Sequence, residues 1–134
     1  MDNCIFCKIV AGESPSYKIY EDDYACAFLD ISCDTYGHTL VIPKKHYTNV
    51  LDCDPVVLAK VMEAVQKVAN HYVNDCGFSG VNILNASGQD AEQSVFHLHF
   101  HVIPRKKEDG VNSWPFHGKF DYDLAQICDT LKMG

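Results

Sequence analysis

The sequence predicts an α+β protein with a mainly antiparallel sheet of about five strands, one long helix and a C-terminal helix. Short apolar segments bounded by turn residues are typical of strands, and they occur both before and after the middle of the chain. The middle carries apolar residues at helical spacing over several turns. A length of 134 residues, 47 % of them hydrophobic, suits a single domain spanning 1–134.

The N-terminal part of the chain is predicted to form one short helix and three strands. The helix would end at Gly12, because glycine commonly follows the last helical turn. The acidic turn at Asp22-Asp23 would join the first two strands into a hairpin. The predicted bounds are 3–11 for the helix and 17–21, 24–29 and 38–43 for the strands.

The long helix has the clearest local signals in the sequence. Asp54 is a favourable N-cap, and Pro55 suits the first helical position, where an N–H group is not needed. Apolar residues then recur at helical spacing, and the helix is expected to end before Gly77. Two further strands and a C-terminal helix complete the prediction, at 80–84, 95–103 and 121–132.

Composition restricts the function. The formal net charge of −7 argues against general nucleic-acid binding, which needs a basic surface, but it allows a small anionic ligand. Seven cysteines, an odd number without a signal peptide, argue against a secreted disulfide framework. No apolar run reaches the roughly 18–20 residues of a membrane span. We therefore expect a cytoplasmic location, with neither nucleic acid nor a membrane as a partner.

The most informative feature of the sequence is the segment 96–104, in which three histidines alternate with apolar residues. Alternation with a period of two predicts a strand with His97, His99 and His101 on one face. Three adjacent imidazoles give no packing advantage, so the alternative to a chemical role is a surface strand that happens to be rich in histidine. Two chemical roles are open. One is a metal site built on the row, and the other is nucleophilic and acid–base catalysis.

Cys4 and Cys7 have the spacing at which two thiolates can bind one tetrahedral zinc ion. The sequence has no second Cys-x-x-Cys pair, so the remaining ligands would have to be histidines. Two other interpretations are a thioredoxin-like redox pair and two unlinked cysteines in a helix. A redox pair would lie near a βαβ unit, which the predicted elements do not contain.

The segment 97–103, His-Leu-His-Phe-His-Val-Ile, resembles the motif of the histidine triad superfamily of nucleotide hydrolases and transferases. Further blocks resemble its Hint-like nucleoside phosphoramidase branch and follow the same order, at 5–9, 21–31, 37–46 and 93–103. The resemblance extends from about Cys4 to Arg105. It implies one histidine triad domain with a core at 4–105 and a C-terminal extension at 106–134. It also implies a two-fold dimer across the long helix.

The resemblance further implies hydrolysis or nucleotidyl transfer at the α-phosphate of a nucleoside phosphoramidate or a related adenylate. His99 would attack the phosphorus and form a covalent nucleotidyl-histidine, which water then resolves in a second, easier step. His101 would contact the phosphate and assist the leaving group. His38 would support His99 or the phosphate, and Ser94 would bond to the leaving-group side.

A purine nucleotide such as AMP or GMP is the ligand that the resemblance implies, with structural zinc as the cofactor. Asp30 matches the residue that holds the ribose hydroxyls. The implied nucleotide-binding residues are Ile5, Phe6, Ile9, Phe28, Asp30, Ile31, Asn85, Gln93, Ser94, His99 and His101. The implied zinc ligands are Cys4, Cys7, His46 and His97. Four protein ligands would make a closed, structural zinc site.

Three alternatives to a phosphoramidase stay open. The end of the histidine row, His-Val-Ile-Pro-Arg, also resembles the dinucleoside polyphosphate hydrolase branch. A zinc-stabilised nucleotide-binding or interaction protein would use the same pocket with only vestigial catalysis. A metallohydrolase would bind zinc through the row itself. The segment after Arg105 departs from the phosphoramidase branch, and in that family this segment shapes the leaving-group preference.

Overall fold

A computed structural model describes residues 3–134 and shows a five-stranded antiparallel sheet with three α-helices. The strands are β1 (Lys18–Glu21), β2 (Ala25–Leu29), β3 (Thr39–Pro43), β4 (Gly80–Leu84) and β5 (Phe100–Arg105). The helices are α1 (Ile5–Val10), α2 (Pro55–Asn74) and α3 (Leu124–Leu131), with a short 3₁₀ turn at Gln89–Ala91. These elements confirm the predicted α+β class.

The sheet has the strand order β1-β2-β3-β5-β4, so the last strand of the chain lies between β3 and β4. Each neighbouring pair is antiparallel. Phe28 is opposite Leu40 in the β2–β3 pair, and Leu40 is opposite His101 in the β3–β5 pair. His101 of β5, Leu40 of β3 and Phe28 of β2 therefore lie side by side across three neighbouring strands.

Helix α2 has the bounds that the sequence predicts, because its signals are local. The Asp54 carboxylate accepts a hydrogen bond from the N–H of Val56, and Pro55 occupies the first turn. The helix buries one apolar face against the sheet, through the side chains of Val61, Ala64, Val65, Val68 and Tyr72. Helix α2 therefore covers one face of the sheet, and α1 packs on the other face.

Helix α1 lies against the opposite face of the sheet. Phe6 is 5 % exposed and packs with Cys26, Phe28, Leu40 and Ile42 of the central strands. The helix begins at a cysteine cap, because the Cys4 thiol accepts a hydrogen bond from the N–H of Cys7 at 3.4 Å. The first cysteine of the pair therefore also defines the start of the helix.

The predicted strand at 95–103 is partly wrong, because β5 begins only at Phe100. The N–H of Leu98 donates to the carbonyl of Tyr47 at 2.7 Å, which ties the preceding segment to the loop after β3 rather than to the sheet. The alternation of faces nevertheless holds. Leu98, Phe100 and Val102 pack on the α2 side, and the intervening histidines face α1.

The C-terminal segment beyond β5 contains a short helix with little packing. Helix α3 is shorter than the predicted 121–132 and starts at an Asp123 cap, whose carboxylate accepts from the N–H of Gln126. Every α3 residue is at least partly exposed, and Trp114 and Phe116 before it are 79 % and 87 % exposed. Within residues 3–134, none of the helices combines the length and apolar character needed to cross a bilayer.

Candidate active site and metal centre

The first histidine of the row faces the two cysteines of α1. Nδ1 of His97 lies 3.3 Å from Sγ of Cys4 and 3.5 Å from Sγ of Cys7. Nδ1 of His46 lies 3.4 Å from the Cys7 sulfur and 3.2 Å from Nδ1 of His97. Two sulfurs and two ring nitrogens thus converge on one point, with all four ligand atoms within 4.8 Å of one another.

These separations match the edges of a zinc-centred tetrahedron. Zn–S bonds of about 2.3 Å and Zn–N bonds of about 2.0–2.1 Å place neighbouring ligand atoms roughly 3.3–3.8 Å apart. Nε2 of His97 is 2.9 Å from the carbonyl of Pro43, to which it donates, so Nδ1 presents a free lone pair to the cluster. Burial lowers the pKa of His97 to about 4, which keeps the imidazole neutral at pH 7 as a ligand must be.

Burial shifts the pKa of the Cys7 thiol upwards, whereas it shifts the pKa of His97 downwards. Burial and the neighbouring Cys4 sulfur raise the pKa of Cys7, because both disfavour a negative charge on sulfur. A dication at the centre of the cluster would remove this penalty, since zinc binds the thiolate. The residues present therefore fit a structural zinc ion, and the geometry brings together all four ligands that the sequence resemblance implies.

The middle histidine is held in one tautomer by the backbone. Nδ1 of His99 lies 2.8 Å from the carbonyl of His97, so Nδ1–H donates and Nε2 is left with a free lone pair. His99 is 4 % exposed, and burial lowers its pKa, which favours the neutral ring. The edge-to-face contacts of Phe6 with His97 and His99 have centroid separations of 5.7 and 5.3 Å. A neutral, oriented imidazole of this kind is a competent nucleophile.

The last histidine of the row is connected to a second imidazole. Nδ1 of His101 lies 2.8 Å from Nε2 of His38, and Nδ1 of His38 lies 2.6 Å from a carboxylate oxygen of Asp34. Burial first, and then the nearby rings of His99 and His38, lower the pKa of His101 to about 4. The hydrogen bond to His38 lowers the pKa of Asp34, so that this carboxylate is ionised at neutral pH.

A cavity of about 410 Å³ opens beside His99 and His101, between α1 and the start of the loop after β2. Its walls include the predicted residues Ile5, Phe6, Ile9, Phe28, Asp30, Ile31 and Ser94. A larger cavity of about 650 Å³, near Tyr36 and Phe78, contains none of the three row histidines. The smaller cavity is therefore the candidate site, because an apolar pocket with a few polar groups at its floor is typical of ligand sites.

Two predicted nucleotide contacts lie outside this cavity. Gln93 is 5 % exposed, and its side chain bonds the carbonyls of Thr48 and Val95 and the N–H of Gly88. The Asn85 amide donates to the carbonyl of His99 at 3.0 Å. In this structure both side chains shape the loop beside the histidines, and their contact with a nucleotide stays a prediction.

Sequence reasoning gave no role to Asp34, although the structure connects it to the site through His38. The signal available in the sequence was weak. The loop between β2 and β3 has no periodicity that would predict the orientation of Asp34 towards His38. Pro15 and Ser16 also line the cavity without having been predicted.

His97, His99 and His101 alternate before and within β5 and share one face of the antiparallel sheet, which is the arrangement expected of the histidine triad class. The family model described as HIT domain matches residues 11–108, and the chain belongs to this family.

Relatives and solved structures agree with this assignment. The chain is 42 % identical to "Adenylylsulfatase HINT3" of Arabidopsis thaliana, over 98 % of this chain and 68 % of that protein. It is 39 % identical to "Adenosine 5'-monophosphoramidase HNT1" of Saccharomyces cerevisiae, over 98 % and 76 %. A "ZN-bound histidine triad family protein" from Mycobacterium smegmatis has a similar structure, with a TM-score of 0.79 and 35 % identity over 96 % of this chain and 98 % of that chain.

Proposed function

We propose that this protein is a nucleotide hydrolase that cleaves at the α-phosphate of nucleoside phosphoramidates or related adenylates. The observation that carries the proposal is the orientation of His99, whose Nδ1–H bond to the His97 carbonyl leaves Nε2 free at the floor of the cavity. Two relatives named as an adenylylsulfatase and an adenosine 5'-monophosphoramidase support the same reaction class.

The reaction runs in two displacements at phosphorus. First, Nε2 of His99 attacks the α-phosphorus, a bond between nitrogen and phosphorus forms, and the bond to the leaving group breaks. The leaving amine keeps the electron pair of that bond and takes the proton carried on Nε2 of a protonated His101, whose ring thereby becomes neutral. Second, water attacks the nucleotidyl-histidine and passes a proton to Nε2 of His101, which restores the donor, while the nucleoside monophosphate and the neutral His99 ring are released. Each displacement has a lower barrier than direct attack of water on the substrate.

The cavity suits a purine nucleoside monophosphate. Its apolar walls would contact the base, because flat aromatic rings gain most from apolar and aromatic neighbours. Asp30 would accept hydrogen bonds from the ribose hydroxyls. Its Oδ1 already accepts from the N–H of Ser32 at 2.9 Å, which holds the carboxylate at the edge of the cavity. Ser94, also at the wall, would bond to the leaving-group side.

A trapping experiment tests the covalent step. Rapid quench with a labelled adenosine phosphoramidate should yield one adenylate per chain, and peptide mapping should place it on His99. The variant His99→Ala should accumulate no adduct, whereas the control His71→Ala, which alters an exposed histidine of α2, should label like the wild type. An adduct that persists in His99→Ala would refute the assignment of the nucleophile.

A comparison of cleavage rates separates the alternative substrates. Arg105, the arginine of the motif shared with polyphosphate hydrolases, already donates to Asp109, Asn82 and the carbonyl of Val111. Its guanidinium is therefore occupied within the protein, which favours the phosphoramidate over a longer polyphosphate. Faster cleavage of diadenosine tri- or tetraphosphate than of the phosphoramidate would reverse this preference.

We further propose that Cys4, Cys7, His46 and His97 bind one structural zinc ion per chain. When bound, zinc would fasten α1 to the segment before β5 and would supply no step of the reaction. Metal analysis of Cys4→Ala should show loss of zinc together with a lower Tm, whereas Cys128→Ala, an exposed cysteine of α3, should retain both. A full complement of zinc in Cys4→Ala would contradict this ligand set.

The proposal also includes a two-fold dimer, in a cytoplasmic location. The supporting observation is a groove of about 600 Å³ between α2 and the edge strand β4, lined by Met62, Val65, Ala69 and Ile83. Met62 and Ile83 are 41 % and 44 % exposed, as expected for residues that a second copy would cover. Sedimentation should show a dimer that Ile83→Asp dissociates, and a monomeric wild type would contradict this part.

A further inference from the structure

We propose that Asp34 is a positioning residue for the reaction, which sets the hydrogen-bond direction of the His38–His101 pair and stabilises its cationic form. The inference rests on the proposed function, because it concerns how the leaving group receives its proton. Asp34, His38 and His101 would then act as one chain that leads from the protein surface to the cavity.

The geometry is continuous from the surface to the cavity. The Asp34 side chain is 57 % exposed, whereas that of His38 is 7 % exposed. The Asp34 oxygen lies 2.6 Å from Nδ1 of His38, and Nε2 of the same ring lies 2.8 Å from Nδ1 of His101. His101 itself lines the cavity. The buried ring of His38 therefore bonds with both of its nitrogens, one on each side.

Asp34 determines which nitrogens donate and which accept in these two hydrogen bonds. An ionised carboxylate only accepts hydrogen bonds, so Nδ1 of His38 must carry its proton. When His38 is neutral, its Nε2 has to accept, and Nδ1 of His101 must donate to it. This leaves Nε2 of His101 as the nitrogen that can take up a proton and pass it on at the cavity. Without Asp34 the two rings could exchange these roles.

Asp34 also balances the charge of the pair. Once Nε2 of His101 is protonated, the proton on Nδ1 of His101 can move to Nε2 of His38. His38 is then the imidazolium, and it lies against the Asp34 carboxylate. At His101, burial and the ring of His99, whose centroid is 5.0 Å away, oppose a positive charge. Asp30, 3.6 Å from Nδ1 of His38, supports the charge when it lies on His38. On donation, the leaving nitrogen gains the proton and the pair returns to its neutral form.

The leaving group provides the test. A phosphoramidate releases an amine that must be protonated, whereas adenylyl sulfate releases sulfate, which needs no proton. We expect Asp34→Asn to slow single-turnover cleavage of adenosine phosphoramidate about ten-fold, as part of the roughly 10²–10⁴-fold that general acid catalysis supplies. Cleavage of adenylyl sulfate should change less than about two-fold, since no proton transfer is required there. The fall of the phosphoramidate rate with rising pH should also move to lower pH.

Asp23→Asn is the matched control, because Asp23 is an exposed carboxylate in the β1–β2 turn. It should leave both rates unchanged. Asp34→Glu, which keeps the charge, should recover part of the phosphoramidate rate. Equal losses on both substrates would indicate a merely structural role and overturn the inference, and so would an unchanged phosphoramidate rate in Asp34→Asn.

The tautomers test the inference independently of activity. In ¹⁵N-resolved histidine spectra of the wild type at neutral pH, we expect Nδ1–H on both His38 and His101. A His101 ring that carries its proton on Nε2 while Nδ1 accepts would overturn the inference. A wild type that cleaves neither substrate would overturn the proposed function instead, and the tautomers would then decide the role of Asp34 by themselves.

Discussion

The neutral His101 ring should make the stability of the fold depend on pH. The pKa of this group is about 4 in the folded protein, whereas 6.5 is the ordinary value for an unfolded chain. Between these two values the unfolded state binds a proton at His101 and the folded state does not. The free energy of unfolding must therefore fall as the pH falls from about 6.5 towards 4.

The magnitude follows from the distance of the chosen pH from the ordinary value. At pH 5 the unfolded chain is almost fully protonated at this position, and the folded protein is almost fully neutral. With about 1.36 kcal/mol for each pH unit, His101 alone should remove about 2 kcal/mol between pH 7 and pH 5. This is a large part of the roughly 5–15 kcal/mol that stabilises a typical domain.

The assay compares urea denaturation of the wild type and His101→Asn at pH 7 and pH 5. Asn places an amide near the position of Nδ1 and does not titrate, so the pH-dependent loss should be about 2 kcal/mol smaller in the variant. Acid release of a metal from the four-ligand cluster would affect both proteins and cancel in the difference. Equal losses in the two proteins would refute the reasoning, because His101 would then have the same proton affinity folded and unfolded.

Three further predictions concern other parts of the chain. Asp54→Ala should lower the free energy of unfolding by about 1 kcal/mol, since it removes the α2 cap; an unchanged urea midpoint would contradict this. Leu98→Ala should cost about 2–5 kcal/mol, because the side chain is fully buried on the α2 side, and a loss under 1 kcal/mol would contradict that packing. Asp30→Asn should reduce the preference for ribonucleotide over 2′-deoxynucleotide substrates in kcat/KM; a preference equal to that of the wild type would remove Asp30 from the ribose contact.

The sequence predicted best what depends on neighbouring residues. Helix α2 has the expected bounds because its cap, its first-turn proline and its apolar spacing are all local. The start of β5 was missed, since the partner that takes the N–H of Leu98 is the carbonyl of Tyr47, far away in the sequence. No local pattern specifies such a pairing.

The site residues also fall into those that sequence motifs predict and those that depend on contacts in the fold. The four candidate zinc ligands and most of the pocket residues were named from motif blocks, and the structure brings them together. Asp34 was missed because its importance depends on one hydrogen bond to a buried ring. The contact of Gln93 with a nucleotide stays a prediction, because a motif records which residue occurs and not its hydrogen bonds, which here join Gln93 to the surrounding loops.

Helix α1 contributes residues to two sites. Cys7 belongs to the candidate zinc cluster, while Ile5, Phe6 and Ile9 form a wall of the proposed nucleotide cavity. If zinc orders this helix, zinc and nucleotide must be thermodynamically linked, and each must raise the affinity of the other by the same factor. Oxidation of the thiols would then weaken nucleotide binding without touching a single atom that contacts the nucleotide, and a saturating nucleotide would in turn slow the loss of zinc to a chelator.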